Sequence, residues 1–433
     1  MKFTSTRGQS APVDFSTALA AGLAPDGGLY VPVGLPSLGA GDFNGRQTLA
    51  EIGERLLAPF LQGDALADAL GAICAEAFDF PTPLKALGGN DFVLELFHGP
   101  TAAFKDVGAR FLAACMKRIR ADAAQPLTIL VATSGDTGAA VAAAFQGVPG
   151  LRVAILYPQG RVSARQAHQL GCFGDNVATF AVQGSFDQCQ ALVKQALGDK
   201  ALQTALPMSS ANSISLGRLL PQMVYYAQAC LHHYRQQGEP LNFVVPTGNL
   251  GNAMAAALAR AMGLPIGRIA LATNANAVLP EFFAGADYQP RESIATLANA
   301  MDVGAPSNFE RLRWLFPDQN DLRAAFDARA FDDAAIQATI RAAYSGYGEA
   351  FCPHTATALA LLSEFRRQGA PGAWAVVATA HPAKFDNIVE PLIGSSVGVP
   401  PALAALLARP SRAEALAADY QVLRNRLSSG RAF

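Results

Sequence analysis

From Pro126 onward, short apolar segments alternate with longer segments in which apolar residues recur at helical spacing. The segments that predict strands are TILVA (128–132), RVAILY (152–157), VATFAV (177–182), NFVVP (242–246), RIALAT (268–273) and WAVVATA (374–380). They are apolar along nearly their whole length, as expected where helices cover both faces of a sheet. Strand–helix alternation requires right-handed crossovers between parallel strands. The sequence therefore predicts an α/β fold.

Two parts of the chain depart from this alternation. Residues 1–90 are expected to form a separate, mostly helical domain, because residues 48–80 show helical spacing and few strand formers. Within this part, DGGLYVP (26–32) predicts a tight turn followed by a short strand. The FPTP stretch at 80–83 breaks the helical pattern and marks a boundary. Residues 280–370 are also expected to be mostly helical.

Composition limits the partners of this chain. Its 433 residues are 51% hydrophobic and 15% charged, which is enough apolar material for a large core. The net charge of -1 argues against binding to nucleic acid or to an anionic membrane. No apolar run is long enough to span a bilayer, and the first residues lack the apolar core of a signal peptide. We therefore expect a cytoplasmic protein that acts on a small molecule, with no obligate protein partner.

The cysteines and histidines predict no metal site. The cysteines are scattered and form no CxxC pair, which fits a reducing compartment and argues against a disulfide framework: Cys74, Cys115, Cys172, Cys189, Cys230 and Cys352. The adjacent pair His232 and His233 lies near the end of a predicted helix. We interpret it as part of a solvated face and not as a pair of metal ligands.

The stretch ELFHGPTAAFKDVGARF (95–111) places Lys105 in an apolar setting. Phe97 and Phe104 are bulky, whereas Ala102 and Ala103 leave room for something flat beside the lysine. An ammonium group forced against apolar surface loses hydration, so its pKa falls. The neutral amine that results can form a Schiff base with an aldehyde. The alternative is a surface lysine at a helix start, with its stem covering apolar neighbours.

Two strand-to-helix junctions are rich in glycine and small polar residues. ATSGDTGAA (132–140) sets Ser134, Asp136 and Thr137 between glycines, where backbone N–H groups and hydroxyls suit an anion. The alternative is an ordinary capped turn. PTGNLGN (246–252) follows a predicted strand, and its two glycines let backbone approach a phosphate closely. It matches neither a dinucleotide fingerprint nor a P-loop, so a compact monophosphate fits best.

Two further stretches carry polar side chains to the same region. In ATAHPAKF (378–385), the hydroxyl of Thr379 at a strand end could meet a ring nitrogen, or Thr379 could simply belong to a helix cap. His381 receives no role. In SSANSISLGR (209–218), hydroxyls and Arg218 precede a long helix. Arg218 could bind a second phosphate through both arms of its guanidinium, or it could be a surface arginine.

A lysine for an aldehyde, a cup for one phosphate and a hydroxyl for a ring nitrogen together describe a site for pyridoxal 5'-phosphate. The sequence resembles the threonine synthases of the longer type, which carry an extra N-terminal domain, within the fold-type II pyridoxal-phosphate enzymes. The resemblance runs through nearly the whole chain, in motifs that keep the family's order and spacing: DGGLYVP, ELFHGPTAAFKD, ATSGDTGAA, SSANSIS, PTGNLGN, TNAN (273–276), AMDVGAPSNFERL (300–312) and ATAHPAKF.

This resemblance implies a fold and a domain division. Two doubly wound α/β domains of the tryptophan synthase β-like kind would follow the helical N-terminal domain. The N-terminal domain would cover residues 1–90. The domain that holds the cofactor lysine and the substrate would cover 91–220. A second α/β domain at 221–433 would contain the cofactor-phosphate loop and the helical insertion near 280–370.

The resemblance also implies roles for individual residues. Lys105 would form the Schiff base with the cofactor, and Thr379 would bond its ring nitrogen. The cofactor phosphate would be held by Gly248, Asn249, Leu250, Gly251 and Asn252. Asp136 stands where many relatives place an asparagine near the cofactor's 3'-oxygen, so a carboxylate would there face a partly anionic oxygen. The substrate would contact Ser134 and Thr137, with its phosphate on Ser213 and Arg218.

The implied reaction converts O-phospho-L-homoserine and water into L-threonine and phosphate. The amine of Lys105 would move protons at Cα and Cβ of the substrate. Other fold-type II enzymes, such as serine/threonine dehydratases or O-acetylserine sulfhydrylases, share the lysine and the glycine cup. They do not account for the N-terminal domain or for a second phosphate site. A non-catalytic relative that binds pyridoxal phosphate is an alternative of another class, because fold alone does not decide function.

Overall fold

The computed structural model describes residues 1–429 and confirms the α/β fold. The strands are β1 (Phe3–Ser5), β2 (Tyr30–Pro32), β3 (Leu84–Gly88), β4 (Asp91–Glu95), β5 (Leu127–Ala132), β6 (Leu151–Pro158), β7 (Val177–Gln183), β8 (Met208–Ser210), β9 (Leu241–Pro246), β10 (Ile266–Thr273), β11 (Phe326–Ala330), β12 (Trp374–Ala378) and β13 (Glu414–Ala417).

The α-helices are α1 (Phe15–Ala21), α2 (Leu49–Leu57), α3 (Leu70–Ala77), α4 (Lys105–Ile119), α5 (Asp136–Phe145), α6 (Ala164–Gly171), α7 (Phe186–Gly198), α8 (Lys200–Ala205), α9 (Leu216–Leu219), α10 (Met223–Gln237), α11 (Gly251–Ala261), α12 (Val278–Phe283), α13 (Phe309–Leu315), α14 (Gln319–Ala324), α15 (Asp333–Tyr347), α16 (Pro353–Arg367), α17 (Asp386–Ile393), α18 (Pro401–Leu407) and α19 (Tyr420–Ser428).

Two large sheets organise the molecule. The first has the strand order β13-β7-β6-β5-β8, and all of its strands run parallel. The second has the order β11-β10-β9-β12-β4-β3 and is parallel except for β3, which pairs antiparallel with β4 at one edge. Every strand predicted from the apolar segments is present. Their apolar composition follows from burial, which is complete along β5 and β12.

Five of the strands in these two sheets were not predicted, namely β3, β4, β8, β11 and β13. They are short, and β11 and β13 have the sequences FDARA and EALA, which carry almost no strand-forming residues. Pairing with a longer neighbour holds them in place. Residues 280–370, expected to be mostly helical, therefore contain a strand at 326–330 as well as helices.

Sheet membership also departs from the predicted division of the chain. Strand β4 lies in the predicted middle domain, yet it pairs with β12 in the sheet of the last domain. Strand β13 lies near the end of the chain and pairs with β7 in the other sheet. The chain thus crosses between the two sheets three times: after β4, near its lysine stretch, between β8 and β9, and between β12 and β13 near its end. The division at 91 and 221 stays a prediction.

The N-terminal region combines a small sheet with helices. Strands β1 and β2 pair antiparallel, and β2 is the strand predicted within DGGLYVP. Phe3 packs against Phe15 and Phe60 with ring centroids 5.7 and 6.5 Å apart, so the small sheet and the helices share one core. Thr48 caps α2 through a capping box with Glu51. Within residues 1–429, no helix is both long enough and apolar enough to cross a bilayer.

Candidate active site

One cavity of about 1100 Å³ collects all the site residues predicted from the sequence. Its lining includes Lys105, Ser134, Asp136, Thr137, Ser213, Arg218, Gly248, Asn249, Leu250, Gly251, Asn252 and Thr379. Most of them follow the carboxyl ends of β5, β8, β9 and β12, where ligands bind in open α/β sheets. The volume lies at the upper end of the range for small-molecule sites, so a cofactor and a substrate fit together.

Lys105 is the first residue of α4 and projects into this cavity. The residue as a whole is half-buried, but its amine is enclosed by protein, and Nζ lies 5.3 Å from the centroid of the Phe104 ring. Removal from water lowers the pKa of the amine to about 8. Lys105 is therefore not the surface lysine of the alternative interpretation. With a pKa near 8, about a tenth of the amine is neutral at pH 7, far more than for an ordinary lysine, and this neutral fraction is the nucleophile.

Asp136 begins α5 and forms a buried ion pair with Lys384. The Nζ of Lys384 lies 2.8 Å from Oδ1 of Asp136, and Gln166 Nε2 donates to the same oxygen at 3.0 Å. Burial alone would raise the pKa of Asp136, but the charges of Lys384 and Lys105 outweigh it and hold the pKa below its usual range. Asp136 is thus an ionised carboxylate whose charge is compensated by Lys384.

Side chains other than Ser134, Asp136 and Thr137 stabilise the turn that carries them. The hydroxyl of Thr133 accepts hydrogen bonds from the backbone N–H groups of Gly135 and Gly138 at 3.0 and 2.9 Å. The N-cap residue of α5 is Gly135, which has no side chain to act as a cap, and the hydroxyl of Thr133 bonds the N–H of Gly138 in the first turn instead. The three polar side chains are therefore not used as caps, which was their alternative role.

The PTGNLGN stretch forms a concave turn before α11. Leu250 adopts a left-handed conformation with φ of 63°, which is uncommon for a residue other than glycine and typical of functional sites. The side chain of Asn252 accepts from Thr247 Oγ1 at 2.8 Å and donates to Pro246 O at 2.9 Å. These bonds fix the turn so that its backbone N–H groups and the start of α11 line the cavity, as a phosphate site requires.

The two glycines of this turn differ in their surroundings. A Cβ on Gly248 would lie 2.8 Å from the Cα of Met301, a distance that real side chains do not reach. A Cβ on Gly251 would lie 3.6 Å from Ser213 Cβ, an ordinary contact. Protein neighbours therefore require glycine at 248, whereas at 251 they leave room for a methyl group.

Thr379 directly follows β12 and lies beside the lysine stretch. Its carbonyl oxygen accepts a hydrogen bond from the backbone N–H of Phe104 at 2.8 Å, which ties the end of β12 to the start of α4. The cap of the following 3-10 helix is His381, whose Nδ1 accepts from Ala383 N at 3.2 Å. The Thr379 side chain therefore does not serve as the cap, and Thr379 lines the cavity.

Arg218 is buried and not on the surface. The close approach of α9 to α4 depends on Gly108, where a Cβ would lie 2.7 Å from the carbonyl oxygen of Arg218. Nη1 of Arg218 donates to Ala211 O, while Nε has no hydrogen-bond partner within residues 1–429. Burial lowers the pKa of Arg218 to about 10, so the group stays cationic at neutral pH. Ser213 accepts a hydrogen bond from Asn249 Nδ2, which joins the predicted substrate-phosphate stretch to the cofactor cup.

Comparisons with known proteins agree along the whole chain. The family model described as "Pyridoxal-phosphate dependent enzyme" matches residues 76–383. The models "Threonine synthase N terminus" and "Threonine synthase, C-terminal" match residues 2–78 and 355–426. The threonine synthase of Serratia marcescens is 39% identical, with 98% of each chain covered.

The chain belongs to the threonine synthase family.

Solved structures of the family share this fold. The Escherichia coli threonine synthase superposes with a TM-score of 0.92 at 37% identity and covers 99% of this chain and 100% of its own. A threonine synthase from Brucella melitensis, described as bound to PLP, has a TM-score of 0.90 at 35% identity, with 99% of each chain covered. The predicted family, the longer type with its N-terminal domain, and pyridoxal phosphate as the cofactor are thereby confirmed.

The cavity fits this cofactor on its own geometry. An enclosed amine with a lowered pKa suits an aldehyde, and the fixed turn before α11 suits one phosphate. The carboxylate of Asp136, which seemed poorly suited to a position near an anionic ring oxygen, forms with Lys384 a pair that carries no net charge. This pairing removes most of the repulsion that the sequence alone implied.

Two residues to which the sequence gave no role, Asn308 and Arg311, support the PTGNLGN turn through hydrogen bonds. Asn308 donates to Asn249 O at 2.9 Å. Arg311 is fully buried and donates to the carbonyl oxygens of Tyr30 and Ile214 and to the Asn308 side chain. Burial lowers the pKa of Arg311 to about 9. Arg311 thus connects the N-terminal region to the stretches that carry both predicted phosphate sites. Its motif, AMDVGAPSNFERL, was noted only as a family signature.

Two histidines, His233 and His354, are buried in positions that the sequence did not predict. The pair at 232–233 was interpreted as solvated, which is wrong for His233. This side chain is buried and packs edge-on against Phe92 with ring centroids 5.5 Å apart, because the inner face of α10 points to the core. His354, to which the sequence gave no signal, lines the cavity, and its Nε2 accepts from Ala300 N at 3.1 Å. Burial lowers the pKa of His354 to about 4, so the imidazole is neutral.

Proposed function

We propose that the substrate of this enzyme is O-phospho-L-homoserine and that water and this substrate give L-threonine and phosphate. The observation that carries the proposal is the presence of two anion sites in one cavity. The turn before α11 suits the phosphate of the cofactor. Arg218 offers a buried guanidinium that lines the same cavity and suits a second phosphate. Only a phosphorylated substrate requires both.

Within this proposal the cofactor would be held at three places. Lys105 would bond its aldehyde carbon, and Thr379 would donate toward its ring nitrogen. Its phosphate would be bound by Gly248, Asn249, Leu250, Gly251 and Asn252. When bound, pyridoxal phosphate supplies the withdrawal of electrons that makes the substrate carbons acidic. Asp136, paired with Lys384, would face the 3'-oxygen.

The protein's own groups then handle protons, charge and orientation. The amine of Lys105 would take protons from Cα and Cβ of the substrate and return them. Ser134 and Thr137 orient the substrate. Ser213 and Arg218 bind the phosphate that leaves from Cγ, and Arg218 stabilises the charge that develops on it. A hydroxyl at the ring nitrogen leaves that nitrogen largely unprotonated, which favours elimination over transamination.

We further propose that the enzyme works in the cytoplasm without an obligate protein partner. The six cysteines are free and buried in the described structure, which suits a reducing compartment. We also propose a division into three domains. The N-terminal domain covers residues 1–90, the domain that contains Lys105 covers 91–220, and the domain that contains the PTGNLGN turn covers 221–433.

The decisive experiment is phosphate release from O-phospho-L-homoserine with threonine identified as the product, measured for the wild type and for Arg218→Ala. Losing a hydrogen bond to a charged group costs roughly 1.5–3 kcal/mol. We therefore expect kcat/KM to fall about tenfold to a hundredfold, partly through kcat because phosphate is the leaving group. The visible spectrum of the bound cofactor should stay unchanged. Arg218→Lys should recover part of the activity, since an ammonium lacks the guanidinium fork.

Release of phosphate without threonine would contradict the proposed reaction. Normal turnover by Arg218→Ala, or loss of its cofactor, would show that the second phosphate site is elsewhere. Ser134→Ala serves as a matched comparison. It removes another proposed substrate contact from the same cavity, but the hydroxyl that it removes is uncharged.

A further inference from the structure

We propose that the buried ion pair of Lys384 and Asp136 sets the charge state of Lys105. The inference rests on the proposed role of Lys105 as the reactive amine. The side chains of Lys384 and Asp136 are 0% and 4% exposed, and their charged atoms are 2.8 Å apart. Water therefore screens neither charge, and each acts on a neighbouring amine more strongly than a surface charge would.

The carboxylate of Asp136 lines the same cavity as Lys105. Lys384 Nζ and Gln166 Nε2 both donate to its Oδ1. These two bonds hold the carboxylate in place at the wall of the cavity, where its charge acts on the amine of Lys105.

Lys384 is fixed in its place as well as buried. Its Nζ donates to Thr101 O at 2.8 Å in addition to Asp136. Thr101 lies in the stretch that leads into α4, and its carbonyl also accepts from Gln169 Nε2 at 3.2 Å. The cation therefore acts on Lys105 from a constant position, with a sign opposite to that of Asp136.

The other ionisable groups around Lys105 leave this pair as the main adjustable influence. Arg218 on α9 contributes a constant positive charge. At the start of α16, burial raises the pKa of the thiol of the N-cap residue Cys352 and lowers that of His354 to about 4, so both are neutral near pH 7. On α4 itself, burial raises the pKa of Asp106, whose oxygens accept hydrogen bonds from Thr101 N and Oγ1.

Two opposite effects follow for the amine. The carboxylate of Asp136 favours the ammonium form of Lys105, whereas the cation of Lys384 favours the neutral form. Removal of the carboxylate should therefore lower the pKa of Lys105. Removal of the cation from a protein that already lacks the carboxylate should raise it again. A merely structural pair would not produce two shifts of opposite sign.

The test measures the protonation of Lys105 in the cofactor-free protein. Trace acetylation across a pH series, read by mass spectrometry on the peptide that contains Lys105, reports its titration midpoint. We expect Asp136→Asn to lower the midpoint by about one pH unit, which is about a tenfold change in the ratio of neutral to charged amine. Asp136→Asn combined with Lys384→Met should then raise the midpoint by a similar amount relative to Asp136→Asn alone.

The double variant avoids a folding problem. Lys384→Met alone leaves a buried carboxylate without its partner and is expected to fold poorly. The comparison between Asp136→Asn and the double variant contains no such orphaned acid, and in Asp136→Asn the ammonium of Lys384 keeps its hydrogen bond to Thr101 O. Asp91→Asn is a matched control, because Asp91 pairs with Arg366 at 2.6 Å but lies at the far end of β4 from the site. It removes the same charge and should leave the midpoint of Lys105 unchanged.

The outcomes separate this inference from the proposed function. If Asp136→Asn shifts the midpoint no more than Asp91→Asn does, or if the double variant fails to raise it again, the pair does not set the charge of Lys105. Borohydride reduction of the wild-type holoenzyme is an independent measurement. A trapped cofactor on a lysine other than Lys105 overturns the proposed role of Lys105, whatever the titration shows.

Discussion

The two ends of the cavity hold charged groups by different means. At the cup, a single segment of seven residues, PTGNLGN, presents backbone N–H groups and contains no ionisable side chain. At the lysine end, the charges of Lys105, Asp136, Arg218 and Lys384 come from four separate parts of the chain and are buried together. The cup can therefore work from local geometry, whereas the lysine end depends on long-range packing and on the balance of its charges.

This comparison predicts that damage at each end has a different signature. At the lysine end, chemistry should be lost while noncovalent affinity for the cofactor phosphate persists. At the cup, affinity for the cofactor should be lost while Lys105 keeps its reactivity toward a small aldehyde.

The largest effect is expected for Lys105→Ala. Removal of the amine abolishes the covalent link and the proton transfers, and acid–base catalysis alone contributes about a hundredfold to ten-thousandfold. Threonine formation should fall at least that far, and borohydride should trap no cofactor. Equilibrium dialysis should still detect bound pyridoxal phosphate. Lys117→Ala, on the exposed side of the same helix, is the control and should retain activity. A fully active Lys105→Ala would refute the assignment.

The next effect is expected for Arg311→Met beneath the cup. The change leaves the carbonyls of Tyr30 and Ile214 buried without their donor, and each unsatisfied buried acceptor costs about 1–3 kcal/mol. Urea unfolding should report this loss, and the affinity for pyridoxal phosphate should fall because Asn308 and Asn249 lose their support.

Arg313→Met provides the comparison on the same helix. Arg313 is exposed and lies over the rings of Tyr288 and Phe309, so its removal should cost only about 0.5–1 kcal/mol. Equal losses in the two variants would mean that Arg311 has no special role in joining the N-terminal region to the cup.

The smallest effect separates the two glycines of the cup. Gly248→Ala places a methyl group 2.8 Å from the backbone of Met301, and overpacking of this kind costs about 1–3 kcal/mol. Gly251→Ala meets only an ordinary contact, so the apoprotein should keep its stability. Thermal unfolding without cofactor distinguishes them. A loss of cofactor affinity in Gly251→Ala, without a loss of apoprotein stability, would indicate that the ligand itself requires glycine there.

Most of the candidate site could be predicted because its motifs are local. Lys105, the cup and Thr379 each lie in a short segment at a strand or helix end, and such segments carry their own geometry. The residues without an assigned role, Lys384 and Arg311, lie within recognised motifs. They act through partners far away in the sequence, so no spacing rule identifies them. The strands β11 and β13 escaped prediction for a similar reason, since pairing and not composition forms them.

By itself, the sequence determined the alternation of buried strands and helices, and it predicted the turn proposed for the phosphate and the lysine proposed as reactive, because apolar periodicity and turn chemistry act over a few residues. Only the tertiary structure decided which charges meet. It paired Lys384 with Asp136 across more than half of the chain, and it brought Arg311 to Tyr30. It also placed β13, near the end of the chain, beside β7 in the same sheet. Burial makes these contacts strong, and burial depends on the fold as a whole and not on any one segment.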